Sequence, residues 1–469
     1  MLVQAVTQVG VLALLARFLA PEDFGLMAAA NIVITLVQMI AEGGVGSAVV
    51  QRANLTQSFT RVAVSVSLLI SAACFVMIGL LAVPFEALLA MDRLAPVVLV
   101  LGAGIFLYGL ASLLEGLLQR DLRFQALFRV NLAGSIAGYA LPAVVLALMG
   151  AGVWALVIAT LGRVVVKLAL MVFMYEGRLW PGWERGQALE LFHFGFGLTQ
   201  DRFWNWVSMQ TAPFAIGLLF GQAQLGQFYM GSQLAVLPFQ YLSTIASTVY
   251  FPIASRSVTD GRSAITPFLM IIMSAFVFAT GVGFTFALNS DLLVTVVFGP
   301  GWDQAITVFQ ILCLGAGIRS CIQLCDSLNI ARGDVYALAN RRAATALFML
   351  VGMYLAQDLG LAGAAWAVMA SHALMLALTI SLAVRGLQIR RAEIAPVVRR
   401  VIMAFLMLVA ANLPVWYLRE SGPVGGVALL GWSIVTNAVL LLPLTMVLFD
   451  RVRNVVLRRL GHGISSKVS

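Results

Sequence analysis

Residues 16–52 read ARFLAPEDFGLMAAANIVITLVQMIAEGGVGSAVVQR, and this stretch decides the class of the fold. Pro21 to Asp23 form a polar break, and Asp23 is placed to cap the helix that follows. From Phe24 the chain is apolar for about two dozen residues, which at about 1.5 Å per residue is enough to cross a bilayer core of about 30 Å. The stretch therefore predicts a membrane-spanning helix.

One face of this helix is polar. Asn31, Thr35, Gln38 and Glu42 are spaced i, i+4, i+7 and i+11, so they share a face. Because a polar face is costly in lipid, the stripe must face protein or a water-filled cavity. Two interpretations stay open at this point: a helix–helix seam of small and polar residues, or the wall of a transport pathway.

The composition extends the membrane assignment to the whole chain. Of its 469 residues, 61% are hydrophobic and 10% charged, a balance typical of an all-α polytopic membrane protein. The net charge of +9 comes from basic residues spread along short loops, so it does not indicate nucleic-acid binding. Cys321 and Cys325 share a helical face, but no His lies beside them, and buried apolar roles are favoured over a metal site.

Fourteen apolar runs are long enough to be membrane spans. They cover residues 1–19, 24–42, 62–83, 94–118, 126–149, 152–174, 190–220, 225–252, 265–288, 304–330, 337–356, 360–384, 397–417 and 424–449. The first lacks the basic flank of a signal peptide and is read as a retained span. Pro213, Pro238 and Pro252 predict interruptions in the seventh and eighth spans.

The distribution of Lys and Arg predicts the orientation. With a cytoplasmic N-terminus, 24 of the 29 basic residues, Arg163 and Lys167 among them, fall on the cytoplasmic side. Three fall on the other side, and Arg202 and Arg319 lie within spans. The bias predicts a multi-pass membrane protein with both termini in the cytoplasm.

The chain also repeats itself. Gly25 and Gly226 each begin a helix after a break and are 201 residues apart, and four residues recur at a separation of 212: Arg120, Phe124, Arg129 and Trp154 match Arg332, Tyr336, Arg341 and Trp366. The repeat predicts two six-helix lobes related by a pseudo-twofold axis along the membrane normal. We assign residues 1–175 to the N-lobe, 176–189 to a cytoplasmic linker, 190–385 to the C-lobe, and 386–469 to two extra helices and a cytoplasmic tail.

Polar side chains recur on corresponding helices of the two halves and are candidates for the wall of a central cavity. They are Gln4, Thr7, Gln8, Asn31, Gln38, Asp201, Arg202, Asn205, Trp206, Ser208, Gln233, Gln240, Thr244, Ser247, Arg319, Gln323 and Asp326. Arg202 and Arg319 lie deep in their spans, where an arginine facing lipid costs about 2.5 kcal/mol or more. Either Arg202 pairs with Asp201 and Arg319 with Asp326, or the two arginines attract phosphate or acidic sugar.

Other roles stay open as well. Trp204 and Trp206 either stack on sugars or serve packing at the interface. Glu42 and Asp326 are candidates for ion coupling, although for Glu42, at the cytoplasmic end of its helix, a simple solvated residue is favoured over a coupling role. The sequence has no phosphate-binding loop, nucleophile elbow or metal-ligand cluster, so we expect no enzyme activity, no cofactor and no bound metal.

The segments ARFLAPEDFGLMAAA, GGVGSAVVQR, LLQRDLRFQAL and GAGVWALV resemble those of bacterial polysaccharide transporters of the Wzx and exopolysaccharide-exporter type. These share a superfamily with MurJ-type flippases and multidrug–cation antiporters. The resemblance implies two lobes around a cavity, alternating access, and an undecaprenyl-pyrophosphate-linked oligosaccharide as substrate. It also implies a monomer that works with the polymerase and export machinery of its pathway.

Two alternatives remain. A drug–cation antiporter of the same fold would place carboxylates at the midplane, whereas this chain places Arg202 and Arg319 inside its spans. A membrane polysaccharide polymerase or ligase would carry a long periplasmic loop, and the spacing of the predicted spans leaves room for none.

Overall fold

The computed structural model describes residues 2–42, 44–52, 54–175, 177, 179–236, 265–331, 335–386 and scattered positions between 399 and 437, and within them it contains helices and no strand. The chain forms two compact units. Unit 1 comprises Met1–Met230, Val297–Gln304 and Leu350–Leu361, and unit 2 comprises Gly231–Val296, Ala305–Met349 and Ala362–Ser469. The lobe boundaries given above stay predictions.

The helices follow one another with short connections. In chain order they are α1 (Leu2–Phe18), α2 (Pro21–Glu42), α3 (Val45–Gln51), α4 (Gln57–Leu89), α5 (Leu94–Ala103), α6 (Ile105–Arg120), α7 (Phe124–Ala133), a π-helix (Gly134–Ala140), α8 (Leu141–Leu148), α9 (Val153–Met174) and α10 (Arg185–Phe220). The helical residues 222–236 are α11. Then come α12 (Ile265–Leu288), α13 (Ser290–Phe298), α14 (Asp303–Leu314), α15 (Ala316–Ala331), α16 (Val335–Leu355) and α17 (Gly360–Gly386).

These lengths make the chain a multi-pass membrane protein. Among the residues that the structure describes, six stretches are long and apolar enough to cross a bilayer: Pro21–Gln51, Gln57–Leu89, Leu94–Arg120, Phe124–Leu148, Val153–Met174 and Gln357–Val384. Two bent pairs raise the number to eight if each is one span: Ile272–Leu288 with Ser290–Phe298, bent by 71°, and Asp303–Leu314 with Ala316–Ile330, bent by 53°.

Three details differ from the sequence expectations. The predicted span 304–330 bends at Gly315, and the predicted span 94–118 is interrupted at Gly104. The interruption predicted at Pro213 is wrong, since α10 continues through this residue. A proline removes only one helical hydrogen bond, and the packing of α10 on α2 and α4 holds the helix together. Most of the predicted spans 397–417 and 424–449 lies outside the described residues.

α2 is the central helix of unit 1. Residues 24–30 are all buried, as expected of a helix segment that is apolar all round, and α2 packs on α4, α5, α6, α9 and α10. Asp23 caps α2 from inside the first turn, where its Oδ2 accepts a hydrogen bond from the N–H of Ala20 at 3.2 Å. We expected Asp23 to precede the helix, but Pro21 already occupies the first helical position, which suits proline.

Two glycines let α2 and α11 approach closely within unit 1. A Cβ on Gly25 would lie 1.9 Å from the carbonyl oxygen of Gln222, and a Cβ on Gly226 would lie 1.8 Å from the carbonyl oxygen of Pro21. The contact is reciprocal, because Pro21 and Gln222 have the same separation in sequence as the two glycines. Only glycine allows backbones to come this close.

The turn from Gly299 to Trp302 also belongs to unit 1. The two glycines of this turn have φ angles of +87° and +90°, which other residues rarely adopt. The turn buries Trp302, whose Nε1–H donates to the carbonyl of Ala16 at 3.1 Å and whose ring meets Phe24 edge-on at 5.5 Å. Trp302 thereby fixes the corner between α1 and α2.

Unit 2 holds buried polar contacts between its helices. Asp326 on α15 pairs with Arg342 on α16, with 3.3 Å between Oδ2 and Nη2. Asn437 exchanges hydrogen bonds with Asn412 at 3.0 and 3.1 Å and donates to the hydroxyl of Thr285 on α12 at 2.7 Å. These amides attach part of the chain after residue 386 to α12.

Candidate functional site

The polar stripe of α2 meets α10. Arg202, Trp206 and Gln210 are four residues apart and share one face of α10. The Nε1–H of Trp206 and the Nε2–H of Gln210 both donate to the hydroxyl of Thr35, at 3.1 and 3.0 Å. Nearer the end of α2, the Nη1 of Arg202 lies 3.4 Å from the Oε2 of Glu42, and these side chains are 36% and 50% exposed. Around Thr35 the stripe is therefore a contact between α2 and α10, whereas at its Glu42 end it is an exposed charged surface.

The polar surface continues from α2 onto α6 and α9. The side chain of Gln38 lies beside the hydroxyl of Tyr108 on α6. Glu115, also on α6, forms an ion pair with Lys167 on α9, with 2.6 Å between Oε1 and Nζ. The charges of Glu115 and Lys167 both act on the carboxylate of Glu42, so the ion pairs Glu42–Arg202 and Glu115–Lys167 lie close enough to interact electrostatically. We call the set Asn31, Thr35, Gln38, Glu42, Tyr108, Glu115, Arg163, Lys167, Arg202, Trp206 and Gln210 the polar surface of unit 1.

Arg163 is the exposed cation of this surface. It lies near the middle of the 22-residue helix α9, about 15 Å from either end. Its charge acts on Tyr108 and Tyr139. No carboxylate among the residues that the structure describes forms an ion pair with it. Because Lys167 and Arg202 are neutralised by their partners, the polar surface has a net positive charge centred on Arg163.

Local backbone structure brings α9 into this position. A Cβ on Gly134 would lie 2.6 Å from the side chain of Lys167, and a Cβ on Gly138 would lie 2.6 Å from the Cα of Arg163. Both glycines belong to the π-helix, whose wide turn directly precedes Pro142, a residue without an N–H to donate. The small residues and the wide turn let α9 pack tightly while its charged side chains point to the polar surface.

The predicted site residues fall into three groups. On α1, α2 and α10 of unit 1, the structure places Thr7, Asn31, Gln38, Glu42, Arg202, Asn205, Trp206 and Ser208, all partly or fully exposed. Unit 2 holds Gln233, Arg319, Gln323 and Asp326. The side chains of Gln4, Gln8 and Asp201 and the whole of Gln240, Thr244 and Ser247 lie outside the described residues. The assignment of these residues to a cavity stays a prediction.

The deep arginines do not have the partners that we expected. Arg202 pairs with Glu42, which lies 160 residues away in sequence and is brought near only by the packing of α10 on α2. The predicted pair of Arg319 with Asp326 is wrong. The two residues are seven positions apart, about 10 Å along α15, and Arg342 reaches Asp326 from α16 instead. Arg319 also lies in the first turn of α15, just after the Gly315 bend.

Sequence reasoning missed the α6 and α9 side of the polar surface. It placed Arg163 and Lys167 with the cytoplasmic residues, whereas the structure places both inside α9, which lowers the cytoplasmic count by two. Glu115 and Tyr108 were not considered. The position of Arg163 within its predicted span could have identified it, because an ionisable residue ten positions inside an apolar helix is a candidate for a functional role.

The fold matches those of solved membrane transporters. It is similar to the lipid II flippase MurJ in an inward closed conformation, with a TM-score of 0.74 over 96% of this chain and 98% of that one, at 11% identity. It is also similar to an inward-facing multidrug resistance transporter of the MATE family, with a TM-score of 0.64 over 82% of this chain and 95% of that one, at 16% identity. The chain therefore has the helical fold that these two transporters share.

Its sequence defines the family. Residues 14–307 match the family of polysaccharide biosynthesis proteins, and the chain belongs to this family. It is 22% identical over 327 residues to an uncharacterized membrane protein in the cps region of Klebsiella pneumoniae, covering 69% of this chain and 67% of the relative. The resemblance to Wzx and exopolysaccharide-exporter proteins inferred from the N-terminal segments is confirmed.

Two further relatives have descriptive names. The lipopolysaccharide biosynthesis protein WzxC of Escherichia coli K12 is 23% identical, and the alignment covers 68% of this chain and 65% of WzxC. The succinoglycan biosynthesis transport protein ExoT of Rhizobium meliloti 1021 is 25% identical, with 65% and 62% covered. The chain thus spans about two thirds of the length of these relatives.

Proposed function

We propose that the protein is a flippase that moves undecaprenyl-pyrophosphate-linked oligosaccharide units across the bacterial inner membrane by alternating access. The units serve the synthesis of surface polysaccharide or exopolysaccharide. Membership of the polysaccharide biosynthesis family, the names of WzxC and ExoT, and the fold shared with a lipid II flippase support this proposal. ExoT is named as a transport protein and MurJ as a flippase, which supports transport over catalysis.

Arg163 is the observation that carries the proposal. An arginine at the middle of a membrane-spanning helix is too costly to leave in lipid, so it must face water or a ligand. Its guanidinium fork suits bidentate binding of phosphate, and the nearby hydroxyl of Tyr108 can donate to the same anion. The ion pairs Glu42–Arg202 and Glu115–Lys167 have no net charge, so they supply hydrogen-bonding groups for a sugar without cancelling the charge of Arg163. A pyrophosphate-linked sugar fits this arrangement.

The finer architecture is part of the proposal. It comprises fourteen membrane spans, two six-helix lobes around a cavity, and a pseudo-twofold axis along the membrane normal. The reciprocal contact of Gly25 with Gly226 supports such an axis, since the two glycines are equivalent in the repeat. With both termini cytoplasmic, this contact lies near the periplasmic ends of α2 and α11. We infer that it closes the periplasmic side while the substrate enters from the cytoplasm.

The proposal keeps the predicted partners and the coupling residues. The protein acts as a monomer with the polymerase and export machinery of its pathway. Glu42 remains the candidate for ion coupling, because its carboxylate is exposed and pairs with Arg202 in the polar surface. Asp326 is a weaker candidate, since its pair with Arg342 is largely buried.

The test is a transport assay of Arg163 variants. Arg163→Gln should lower flipping of a fluorescent lipid-linked oligosaccharide in proteoliposomes at least tenfold, whereas Arg163→Lys, which keeps the charge, should retain part of it. Arg129→Gln removes an exposed arginine on α7 outside the polar surface and serves as the matched control. All three variants should insert and purify equally. Wild-type flipping by Arg163→Gln would refute the assigned role.

The same assay separates the alternatives. If the protein is a drug–cation antiporter, it should move cationic dyes and leave the oligosaccharide lipid untouched, and Arg163→Gln should increase dye transport by removing the positive charge. If it is a polymerase or ligase, the oligosaccharide lipid should change in length when incubated with the purified protein. Flipping of an unmodified lipid supports the flippase.

A further inference from the structure

A polar cavity lies away from the polar surface of unit 1, at the start of α4. It encloses about 480 Å³ and is lined by Gln57, Ser58, Arg61 and Trp180. Its far wall is the segment 179–184, which runs along α4: the N–H of Gly182 bonds to the carbonyl of Arg61 at 3.1 Å and to the hydroxyl of Ser65 at 3.0 Å. A Cβ at Gly182 would lie only 3.0 Å from that of Arg61, so the glycine allows this close approach.

The cavity lies at the level of the lipid head groups. Arg61 is the last charged residue before residues 62–85, and Glu86 is the next. These 24 uncharged residues rise about 36 Å, slightly more than a bilayer core of about 30 Å, so Arg61 lies at its boundary. Trp180 and Trp183 are largely exposed on the same side, and tryptophan is enriched at membrane–water interfaces.

The groups in the cavity suit an anion. Arg61 is exposed, and no carboxylate in the described part of the chain forms an ion pair with it. Glu184, which contacts the lining residue Ser58, accepts hydrogen bonds from the hydroxyl of Ser58 at 3.2 Å and from the amide of Gln187. Arg61 is therefore free to bind a phosphate oxygen, with the amide of Gln57 as a second donor.

The surface below the cavity suits an acyl chain. Leu69 and Val76 are exposed and follow Arg61 by 8 and 15 residues, which places them within 100° of it around the helix axis. They lie about 12 and 22 Å further along α4, so the apolar track covers the depth of one leaflet, about 15 Å, and extends past the midplane. A charged cavity and an apolar track aligned on one helix face match the two ends of a phospholipid, whereas free phosphate would use only the cavity.

We propose that this cavity binds the phosphate head group of an anionic membrane phospholipid. Arg61 holds the phosphate, Trp180 packs over the glycerol region, and an acyl chain lies along Leu69 and Val76. The bias of basic residues assigns the site to the cytoplasmic leaflet. Because the site lies outside the polar surface of unit 1, its test does not depend on the transported substrate.

The experiment is native mass spectrometry of the full chain in detergent. With added phosphatidylglycerol, the wild-type protein should retain one lipid that Arg61→Gln binds at least tenfold more weakly, while Arg61→Lys binds it at an intermediate level. Arg129→Gln, which removes an exposed arginine elsewhere, should bind like the wild type. Equal binding by Arg61→Gln and the wild type would overturn the proposal.

Two further arms test the nature of the ligand. Phosphatidylcholine should be retained at least tenfold less than phosphatidylglycerol, and equal retention would show that the negative head group is not recognised. Millimolar inorganic phosphate should leave the bound lipid in place, because it lacks the chain that contacts Leu69 and Val76. Complete displacement by phosphate would overturn the lipid assignment. Equal melting temperatures of the variants show that lost binding is not lost folding.

Discussion

Replacing Gly25 with alanine tests whether the glycine contact closes the periplasmic side. The new Cβ would lie 1.9 Å from the carbonyl oxygen of Gln222, whereas ordinary contacts begin at 3.4 Å. The ends of α2 and α11 must therefore separate by about 1.5 Å, and the atom in the way is backbone that cannot rotate aside. Gly25→Ala should thus penalise the closed arrangement.

The size of the effect follows from overpacking. Extra methyl groups in packed interiors cost about 1–3 kcal/mol, which corresponds to a shift of about 5- to 150-fold between two states. Alanine also favours the helix by about 1 kcal/mol, but this gain is equal in the closed and open states and does not shift their ratio. Gly226→Ala should have a similar effect. The double variant should cost less than the sum, because either methyl group already separates the same backbones.

Pulsed EPR can measure this shift. Spin labels attached at Ala20→Cys and Gln224→Cys report the distance between the two helix starts, and the four native cysteines are buried. Gly25→Ala should move the population from the short to the long distance. Gly79→Ala is the control, since a Cβ there meets nothing within 4 Å. An unchanged distance distribution together with unchanged flipping would refute the idea that this contact is a gate.

Three stability predictions rest on buried contacts. Asn437→Leu removes the hydrogen bonds of this amide in unit 2 and should lower the unfolding free energy by about 1–3 kcal/mol, measured as a lower melting temperature. The neighbouring control Thr436→Ala should change the unfolding free energy by less than about 0.5 kcal/mol. Equal losses in the two variants would contradict this prediction. Lys167→Met should lower the stability of the protein, because it leaves the carboxylate of Glu115 without its partner. Adding Glu115→Gln to this variant should restore at least half of the lost stability. Strictly additive losses of the two substitutions, measured by calorimetry, would show that the two side chains are not coupled. Trp302→Phe, which keeps a ring but loses the N–H, should cost about 1 kcal/mol in thermal unfolding, against about 3–5 kcal/mol for Trp302→Ala. Unchanged stability of Trp302→Phe would deny the hydrogen bond its role.

Much of the helical layout is readable from the sequence. The predicted spans 24–42, 62–83 and 152–174 correspond to α2, α4 and α9 (Pro21–Glu42, Gln57–Leu89 and Val153–Met174). They are readable because a span must be a continuous apolar run that satisfies its own backbone. The bend at Gly315 and the break at Gly104 leave hydrophobicity unchanged, so no run of residues reveals them. The π-helix before Pro142 is hidden for the same reason.

The candidate site was only half readable. Helical spacing identified the stripe of α2, since it depends on residues within one turn or two of each other. The partner of Glu42 depends on how α10 packs, and the spacing within α10 equally allowed Arg202 to pair with Asp201. The error for Arg163 was different. When the basic residues were assigned to the two sides of the membrane, Arg163 was counted as a residue of a cytoplasmic loop, although it lies ten residues inside α9.

The charges of the two units point to different roles. In unit 1 the pair Glu42–Arg202 is 50% and 36% exposed, and Glu115–Lys167 is 31% and 18% exposed, so water or a ligand can reach both. In unit 2 the pair Asp326–Arg342 is only 17% and 9% exposed, and desolvation leaves it little freedom to exchange partners. A charge that has to bind and release an anion must stay accessible. We therefore expect that charge changes at Arg163 and Arg202 alter transport more than stability, and that Arg342→Met does the reverse.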